Sequence, residues 1–448
     1  MVLADNSTMS LSNGRIGRMS LRSLSINDGD TANVSIDMDL KGGIADSIYA
    51  ENKEGNGTLS VNKITLTSNS KTPVNIPVAD GDSAIGTIGT TTAESAEATY
   101  KIKTFRDENG VLRTVAYGQK AKNSTLAAPI AAQIGGYLTQ INTYDQAFAN
   151  LDMEMLKSSS ERKAEEMMNK YAASNVNAPM TYSEKDGINY NSKGLWNRAY
   201  ATFENIPFHN GPKVNNVGYG NFFGGDMGKK ELRNGWKRQF SAYIGYNGST
   251  QDYTRQSIDQ NGGTIGVMET WYKGNFFTSL TANVGGNNAE ANTDLGKERM
   301  AMIMAGIASK TGYNFEFKNG KFIVQPSILL SYSFIHTFDH NNGVGSRVKS
   351  NPISALQVAP GIKFIANLKN GWQPYLGVNM RWNIIDQASF SIPDVTLPTL
   401  SVRPYVEYGV GVQKRWGERF TGYGQAMIRN GGRNGVMLSI GFRWAIGK

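Results

Sequence analysis

From residue 195 onward one pattern recurs along the chain. Roughly ten residues alternate apolar with small or polar side chains, close in aromatics, and give way to a Gly, Asn, Asp or Lys turn. Phe322, Val324, Ile328, Leu330, Tyr332 and Phe334 share one face of such a strand, with Gln325, Ser327, Ser331 and Ser333 opposite. Trp372, Leu376, Val378, Met380, Trp382 and Ile384 oppose Gln373, Asn379, Arg381 and Asn383 in the same way. Near the end, Val436, Leu438, Ile440, Phe442 and Trp444 oppose Ser439, Gly441 and Arg443. A soluble sandwich also alternates, but its strands run to about 5–6 residues. These reach about 10–14, enough for a tilted bilayer crossing, and aromatics at strand ends suit an interfacial girdle.

About twelve such segments occur, an even number within the range of closed outer-membrane barrels. They start near Leu195, Val217, Trp236, Thr264, Asn275, Arg299, Lys321, Ala355, Gly371, Ser401, Glu418 and Asn434. Closure is needed because hydrocarbon offers no partner to a free strand edge. The expectation for 195–448 is an antiparallel transmembrane β-barrel with its apolar set on lipid and its polar set toward a lumen. Lys273-Gly274-Asn275, Lys318 to Lys321 and Lys369-Asn370-Gly371 read as tight hairpins, and Asp339–Ser350 and Ser389–Leu400 as longer loops. Pro326, Pro360, Pro374 and Pro404 lack a ladder donor and are placed in the first residues of their strands, near the membrane rim. Gln325 and the charged side chains Arg198, Arg381, Arg403, Glu407, Arg429 and Arg443 fall on polar faces and are the candidate lumen residues. A hydrated wall of salt bridges is one account of them.

Upstream the character changes twice. Residues 1–123 hold short alternating stretches, such as Val34-Ser35-Ile36-Asp37-Met38-Asp39-Leu40 and Leu59, Val61, Ile64 and Leu66, between Gly, Asn, Asp and Ser turns. The pattern fits a small β-sandwich or the end of a stacked β-solenoid equally. Residues 124–194 contain the one persuasive helix: Tyr137, Ile141, Tyr144, Phe148, Leu151 and Met155 form a single stripe. A core helix or coiled-coil seam would show the same stripe. Ser158 and Glu161 have capping-box spacing and open a second helical stretch to about Tyr171.

Charge sharpens the division. The net charge is +9, yet residues 1–123 carry 13 basic and 14 acidic side chains, 124–175 carry 4 and 6, and the remainder 29 and 17. All seven Trp lie at or after position 196. No apolar run approaches the ~18 residues of a membrane helix, Ala301 to Ala308 being among the longest. Zero Cys excludes disulfides, thiolate zinc sites and cysteine nucleophiles. His209, His336 and His340 lack ligand spacing with carboxylates, so no metal, cofactor or catalytic centre is expected. Lys229, Lys230, Lys237 and Arg238 sit in loops without a stacking platform, which argues against nucleic acid and for anionic lipid head groups or lipopolysaccharide. Met1 to Asp5 show no basic and apolar leader, so the chain is expected to be either cytoplasmic or the C-terminal part of a longer exported precursor; its other features favour the second.

In sequence, the region from about 195 to 446 resembles the autotransporter β-domain, the translocator of type V secretion. The matching stretches are Leu195-Trp196-Asn197-Arg198-Ala199-Tyr200, Tyr219-Gly220-Asn221-Phe222-Phe223-Gly224-Gly225-Asp226, Gly312-Tyr313-Asn314-Phe315, Val324-Gln325-Pro326, Gln373-Pro374-Tyr375 and Leu438-Ser439-Ile440-Gly441-Phe442-Arg443-Trp444. Upstream, Gly43 to Ile48 and Gly57 to Val61 look like the end of a passenger β-helix. The resemblance implies an all-β chain: a 12-stranded barrel with an α-helical linker in its pore, preceded by a β-solenoid-like passenger fragment. It implies an outer-membrane location with the N-terminal part at the cell surface, and export and anchoring of the chain's own passenger. The Arg-lined lumen would then face helix carboxylates at Asp145, Asp152 and Glu154. Implied partners are outer-membrane lipid, lipopolysaccharide and the barrel assembly machinery, the last reading Leu438, Ile440, Phe442 and Trp444; the expected state is a monomer. Two departures stand out. The family commonly ends on an aromatic, whereas this chain continues to Lys448, and the Asn-Asn pair of self-cleaving members is absent, Asn150 standing between Ala149 and Leu151. A porin-like channel and a soluble secreted β-rich adhesin are the alternatives.

Overall fold

The computed structural model describes residues 1–79, 87–130, 134–154, 193–232, 235–318, 320–368, 371–385, 388–416 and 419–446. Twelve long strands dominate it: β1 (Lys193–Pro207), β2 (Lys213–Asp226), β3 (Lys237–Tyr253), β4 (Gln256–Lys273), β5 (Phe276–Thr293), β6 (Gly296–Tyr313), β7 (Phe322–Thr337), β8 (Ile353–Ala366), β9 (Trp372–Ile385), β10 (Tyr405–Trp416), β11 (Phe420–Gly431) and β12 (Asn434–Ile446). Each pairs antiparallel with the next, and β1 pairs with β12 from Lys193↔Ile446 to Asn205↔Asn434. No edge is left, as a lipid-immersed sheet requires. The sequence-expected starts fall within four residues of these, except that β4 begins eight residues earlier, at Gln256.

Alternation is strict enough to separate two environments. Along β2, side chains alternate exposed and buried for six successive pairs. The exposed set is the apolar one: Ile244, Ile265 and Ile440 stand 62, 61 and 66 % exposed, as part of a belt running round the whole barrel. An apolar patch of that extent marks a surface meant for lipid. The inward set includes Asn283, Ser333, Gln357 and Gln413, all buried.

Three of the four prolines lie at strand beginnings: Pro326 is fifth in β7, Pro374 third in β9, and Pro404 immediately precedes β10. Pro360 does not. It lies in the middle of β8, opposite Ile328 of β7. The ladder to β9 passes from Val358↔Trp382 to Gly361↔Asn379, omitting Ala359 and Pro360. The missing donor thus costs one local interruption on one side, while the pairing to β7 continues.

The N-terminal part is a stack of parallel strands and not a sandwich. Thr8–Ser10 pairs parallel with Thr31–Asp39, which pairs parallel with Thr58–Leu66; Arg18–Ile26 pairs parallel with Ser47–Glu54. Val34, Ile36, Met38, Leu59, Val61, Ile64 and Leu66 stack inside. Buried Asp37 ties successive turns together by accepting from Ser12 Oγ at 2.5 Å and from the backbone N–H of Asn13 and Gly14 at 2.8 and 2.6 Å. Ala98–Arg106 and Leu112–Ala121 then close the stack as an antiparallel pair. Helix α1 (Asn123–Pro129) leads from there to helix α2 (Gly135–Glu154), which lies inside the barrel.

Among the described residues, the solenoid meets one rim only. Gln119 Nε2 donates to the Asp394 carbonyl and its Oε1 accepts from the Thr396 N–H, both at 2.7 Å; Asn342 Nδ2 donates to Glu97 Oε1 at 2.5 Å. Asp394, Thr396 and Asn342 belong to the long β9–β10 and β7–β8 connections. The β4–β5, β6–β7, β8–β9 and β10–β11 turns lie at the opposite rim.

The helix and the lumen wall

Helix α2 is amphipathic in sequence, yet both faces are buried over most of its described length. Tyr137, Ile141, Tyr144 and Phe148 are at most 1 % exposed, and so are Gln140, Thr143 and Gln146. The wall supplies matching chemistry for each side. Near the solenoid rim, Ile134, Tyr137, Leu138 and Ile141 pack with α1 against Met300, Met302, Met304, Ile335 and Ile206. Further along, Tyr144 and Phe148 join Met268, Tyr272, Phe277, Ala308 and Leu329. Gly306 of β6 faces the Tyr144 hydroxyl at a distance that leaves no room for a Cβ.

On the polar side several helix groups find strand partners, as burial favours. Tyr137 Oη donates to Asn383 Oδ1 at 2.6 Å, and Tyr144 Oη donates to the Tyr332 carbonyl at 2.9 Å. Gln140 Nε2 donates to Asn283 Oδ1, Asn247 Nδ2 donates to Thr143 Oγ1 at 3.2 Å, and Ser439 Oγ donates to Gln146 Oε1 at 3.3 Å.

Asp145 enters a cluster of charges. Its Oδ1 lies 2.6 Å from Arg381 Nη2 and its Oδ2 3.8 Å from Arg429 Nη2. Glu407 links the two arginines, with Oε1 3.4 Å from Arg381 Nη2 and Oε2 2.7 Å from Arg429 Nε. Arg429 also reaches Glu204 Oε2 at 3.4 Å, and Arg433 grips Glu204 with two donors, Nε at 2.7 Å and Nη2. Three guanidiniums thus face three carboxylates, every side chain at most 10 % exposed. Balanced pairing is what makes so much buried charge tolerable. A cavity of about 60 Å³ remains beside Asp145 and Phe148, walled in part by Lys310, Lys363, Arg381 and Glu407. That is room for a few waters and no more.

Of the lumen residues expected from sequence, Arg381, Glu407 and Arg429 come together in this cluster. Arg198 is buried lower on the wall, its guanidinium 4.2 Å from the centroid of Tyr423 and 5.8 Å from that of Trp196. Gln325 donates to Asn314 Oδ1 at 2.8 Å near the β6–β7 turn, and Arg443 Nε pairs with Asp226 Oδ2 at 3.0 Å. Arg403 is a correction. It is exposed in the connection before β10, because Pro404 keeps the strand from starting before Tyr405. Of the expected helix stripe and its carboxylates, the side chains of Leu151, Asp152 and Glu154 lie outside the described residues, as do Met155 and the Ser158–Tyr171 stretch. Leu438, Ile440, Phe442 and Trp444 all point outward from β12, 38–66 % exposed.

Sequence reasoning missed two members of the cluster. Glu204 shares its parity with Trp196, Arg198, Tyr200 and Thr202, so counting by twos along β1 would have found it. Arg433 sits in the Gly431-Gly432-Arg433-Asn434 turn, where no period operates.

A family model described as Autotransporter beta-domain matches residues 195–426, just over half of the chain. No curated protein matches the sequence. Among solved structures, the transport unit of the autotransporter AIDA-I from Escherichia coli is similar at a TM-score of 0.50 and 17 % identity, over 64 % of this chain and 100 % of that one. The translocator domain of the autotransporter NalP from Neisseria meningitidis (TM-score 0.49, 11 % identity, 64 % and 98 %) and the β-domain of the Bordetella autotransporter BrkA (0.47, 18 %, 57 % and 100 %) are also found.

Proposed function

The chain belongs to the autotransporter β-domain family, and from that premise we propose how its parts divide the work. As a member it is an outer-membrane translocator that exports its own passenger and anchors it at the cell surface. In our reading, residues 1–123 are the C-terminal piece of that passenger, 124–194 the linker, and 195–448 the translocator. The linker helix rests in the pore after transit, held by Arg381 and Arg429 through Asp145 and covered by the apolar packing of α1 and α2 near the solenoid rim. Arg198, Gln325, Glu407 and Arg443 belong to the same pore wall. The unit moves protein and catalyses nothing, needs no cofactor, and draws its direction from folding of the passenger outside. It works as a monomer among outer-membrane lipid and lipopolysaccharide, and the outward row Leu438, Ile440, Phe442 and Trp444 is what the barrel assembly machinery reads.

The observation that carries this reading is that both the apolar and the polar side chains of α2 between Tyr137 and Phe148 are buried against the barrel wall, while, among the described residues, the solenoid upstream packs on a single rim. A porin with an N-terminal extension would conduct with or without that segment. The test is planar-bilayer conductance of the whole chain and of a variant that begins at Lys193, which keeps every barrel strand and lacks the solenoid and the linker. A closed parent and a conducting deletion are expected; equal conductance in both would overturn the plug.

A further inference from the structure

The outer wall carries a concave apolar feature at the rim away from the solenoid. Beside the β1–β12 junction, β9 to β12 leave a groove of about 520 Å³, a volume in the range of small-molecule sites. Trp372, Trp416, Phe420 and Phe442 wall it, and Gly422 and Gly424 are among its lining. Over its mouth Lys414 holds its ammonium 4.4 Å from the ring centroid of Trp372 and 5.2 Å from that of Trp416. Aromatic rings at this position mark head-group level, and a lysine stacked between two of them is an aimed cation and not a freely waving one.

Charge is distributed to match. The five connections at this rim, taken with the strand ends beside them (227–238, 273–276, 314–321, 367–371 and 414–420), hold ten Lys and Arg against two Asp and Glu among the described residues. The six at the solenoid rim, taken the same way (207–213, 253–256, 293–297, 338–352, 386–404 and 431–434), hold seven against three. The excess of basic residues over acidic ones therefore sits mostly away from the cell surface, toward the periplasm. Lipopolysaccharide belongs to the other leaflet.

We propose that this groove binds one acyl chain of an anionic phospholipid of the periplasmic leaflet, with Lys414 on its head group. The apolar walls take the chain, Gly424 keeps the floor open, and the basic rim selects a negative head group over a zwitterionic one. The proposal rests on the membrane orientation given under Proposed function.

Native mass spectrometry of the whole chain in mild detergent tests it, with phosphatidylglycerol, phosphatidylethanolamine and lipopolysaccharide offered separately. Phosphatidylglycerol should be retained roughly fivefold over phosphatidylethanolamine, the ratio one cation near an anionic head group provides. Lys414→Gln should abolish that preference. A Cβ at Gly424 meets nothing nearer than the Ser439 carbonyl at 4.0 Å, so Gly424→Leu fills the groove without a clash and should lower retention of both phospholipids. Lys273→Gln, at the same rim but outside the groove, should leave the preference intact. Equal retention of the two phospholipids, a preference for lipopolysaccharide, or indifference to both groove substitutions overturns the proposal. A heat-modifiable band on unboiled gels checks each variant: its loss in the parent chain would strike the barrel reading, whereas its presence without lipid preference strikes the groove alone. Should Gly424→Leu not fold, Ala199→Leu probes the same wall.

Discussion

Removing the Asp145 carboxylate is the sharpest perturbation of the plugged state. Asp145→Ala leaves three buried guanidiniums facing the two carboxylates of Glu204 and Glu407, a net charge of one inside the wall. Breaking a buried pair by deleting one partner costs about 3–5 kcal/mol, mostly from the charge left behind. The small cavity beside Asp145 admits some water, which favours the lower end. At about 1.4 kcal/mol per decade, a cost near 3 kcal/mol raises the population with α2 out of the lumen roughly a hundredfold. The wall residues and the strand pairing are untouched, so the heat-modifiable band on unboiled gels should persist. Single-channel recording reads the difference as openings that the parent chain rarely shows. The paired substitution Asp145→Ala/Arg381→Gln restores neutrality and should recover most of the closure, whereas Arg381→Gln alone should open the pore as well. If Asp145→Ala recorded no more openings than the parent, or if the double variant simply added the two defects, electrostatic seating of the helix would be wrong.

Two further outcomes follow from the outer wall and from the solenoid. Ile440, midway along β12 and 66 % exposed, faces hydrocarbon, so Ile440→Arg should cost about 2–4 kcal/mol and move the urea midpoint of the heat-modifiable band down. An unmoved midpoint would mean that this face does not meet lipid. Asp39 accepts from Ser68 Oγ and from the N–H groups of Lys41 and Gly42, which hold its carboxyl below the usual 3.8. A depressed folded pKa stabilises above the unfolded value, and that contribution disappears as pH falls through the lowered one. Proteolysis of the solenoid should therefore quicken on acidification below about pH 4, and Asp39→Asn should flatten that dependence; a variant with the parent's pH profile would refute the assignment.

Much of this was legible because a membrane barrel writes its environment into every second residue. The misplaced start of β4 shows where that script stops. Its outward positions read Ser257, Asp259, Asn261 and Gly263 before Ile265 and Val267. The strand extends above the hydrocarbon, where its outer row meets water, and the apolar signal begins only on entry to the bilayer. Arg403 failed for a related reason: parity was carried across Pro404, beyond the point where the backbone is a strand. The choice between sandwich and solenoid stayed open because period two is the same in parallel and antiparallel strands, and only pairing tells them apart.

The least expected feature was also written in the sequence. Met300 to Met304, which overlaps the Ala301–Ala308 run that is too short for a membrane helix, is apolar on both parities. In a barrel, Ile303 and Ile307 outward with Met300, Met302 and Met304 inward means that both faces of one strand lie in apolar surroundings. The lumen at that level is then dry, and something greasy must fill it. Ile134, Tyr137, Leu138 and Ile141 do so, as does α1. The plug therefore has two chemistries in series: an apolar seal next to the solenoid, and a charged socket around Asp145 further down the helix. An apolar seal depends on area and shape alone, so it can close on the last residues to arrive without naming them. The socket needs one carboxylate at one height, which makes it the element that sets where the helix stops.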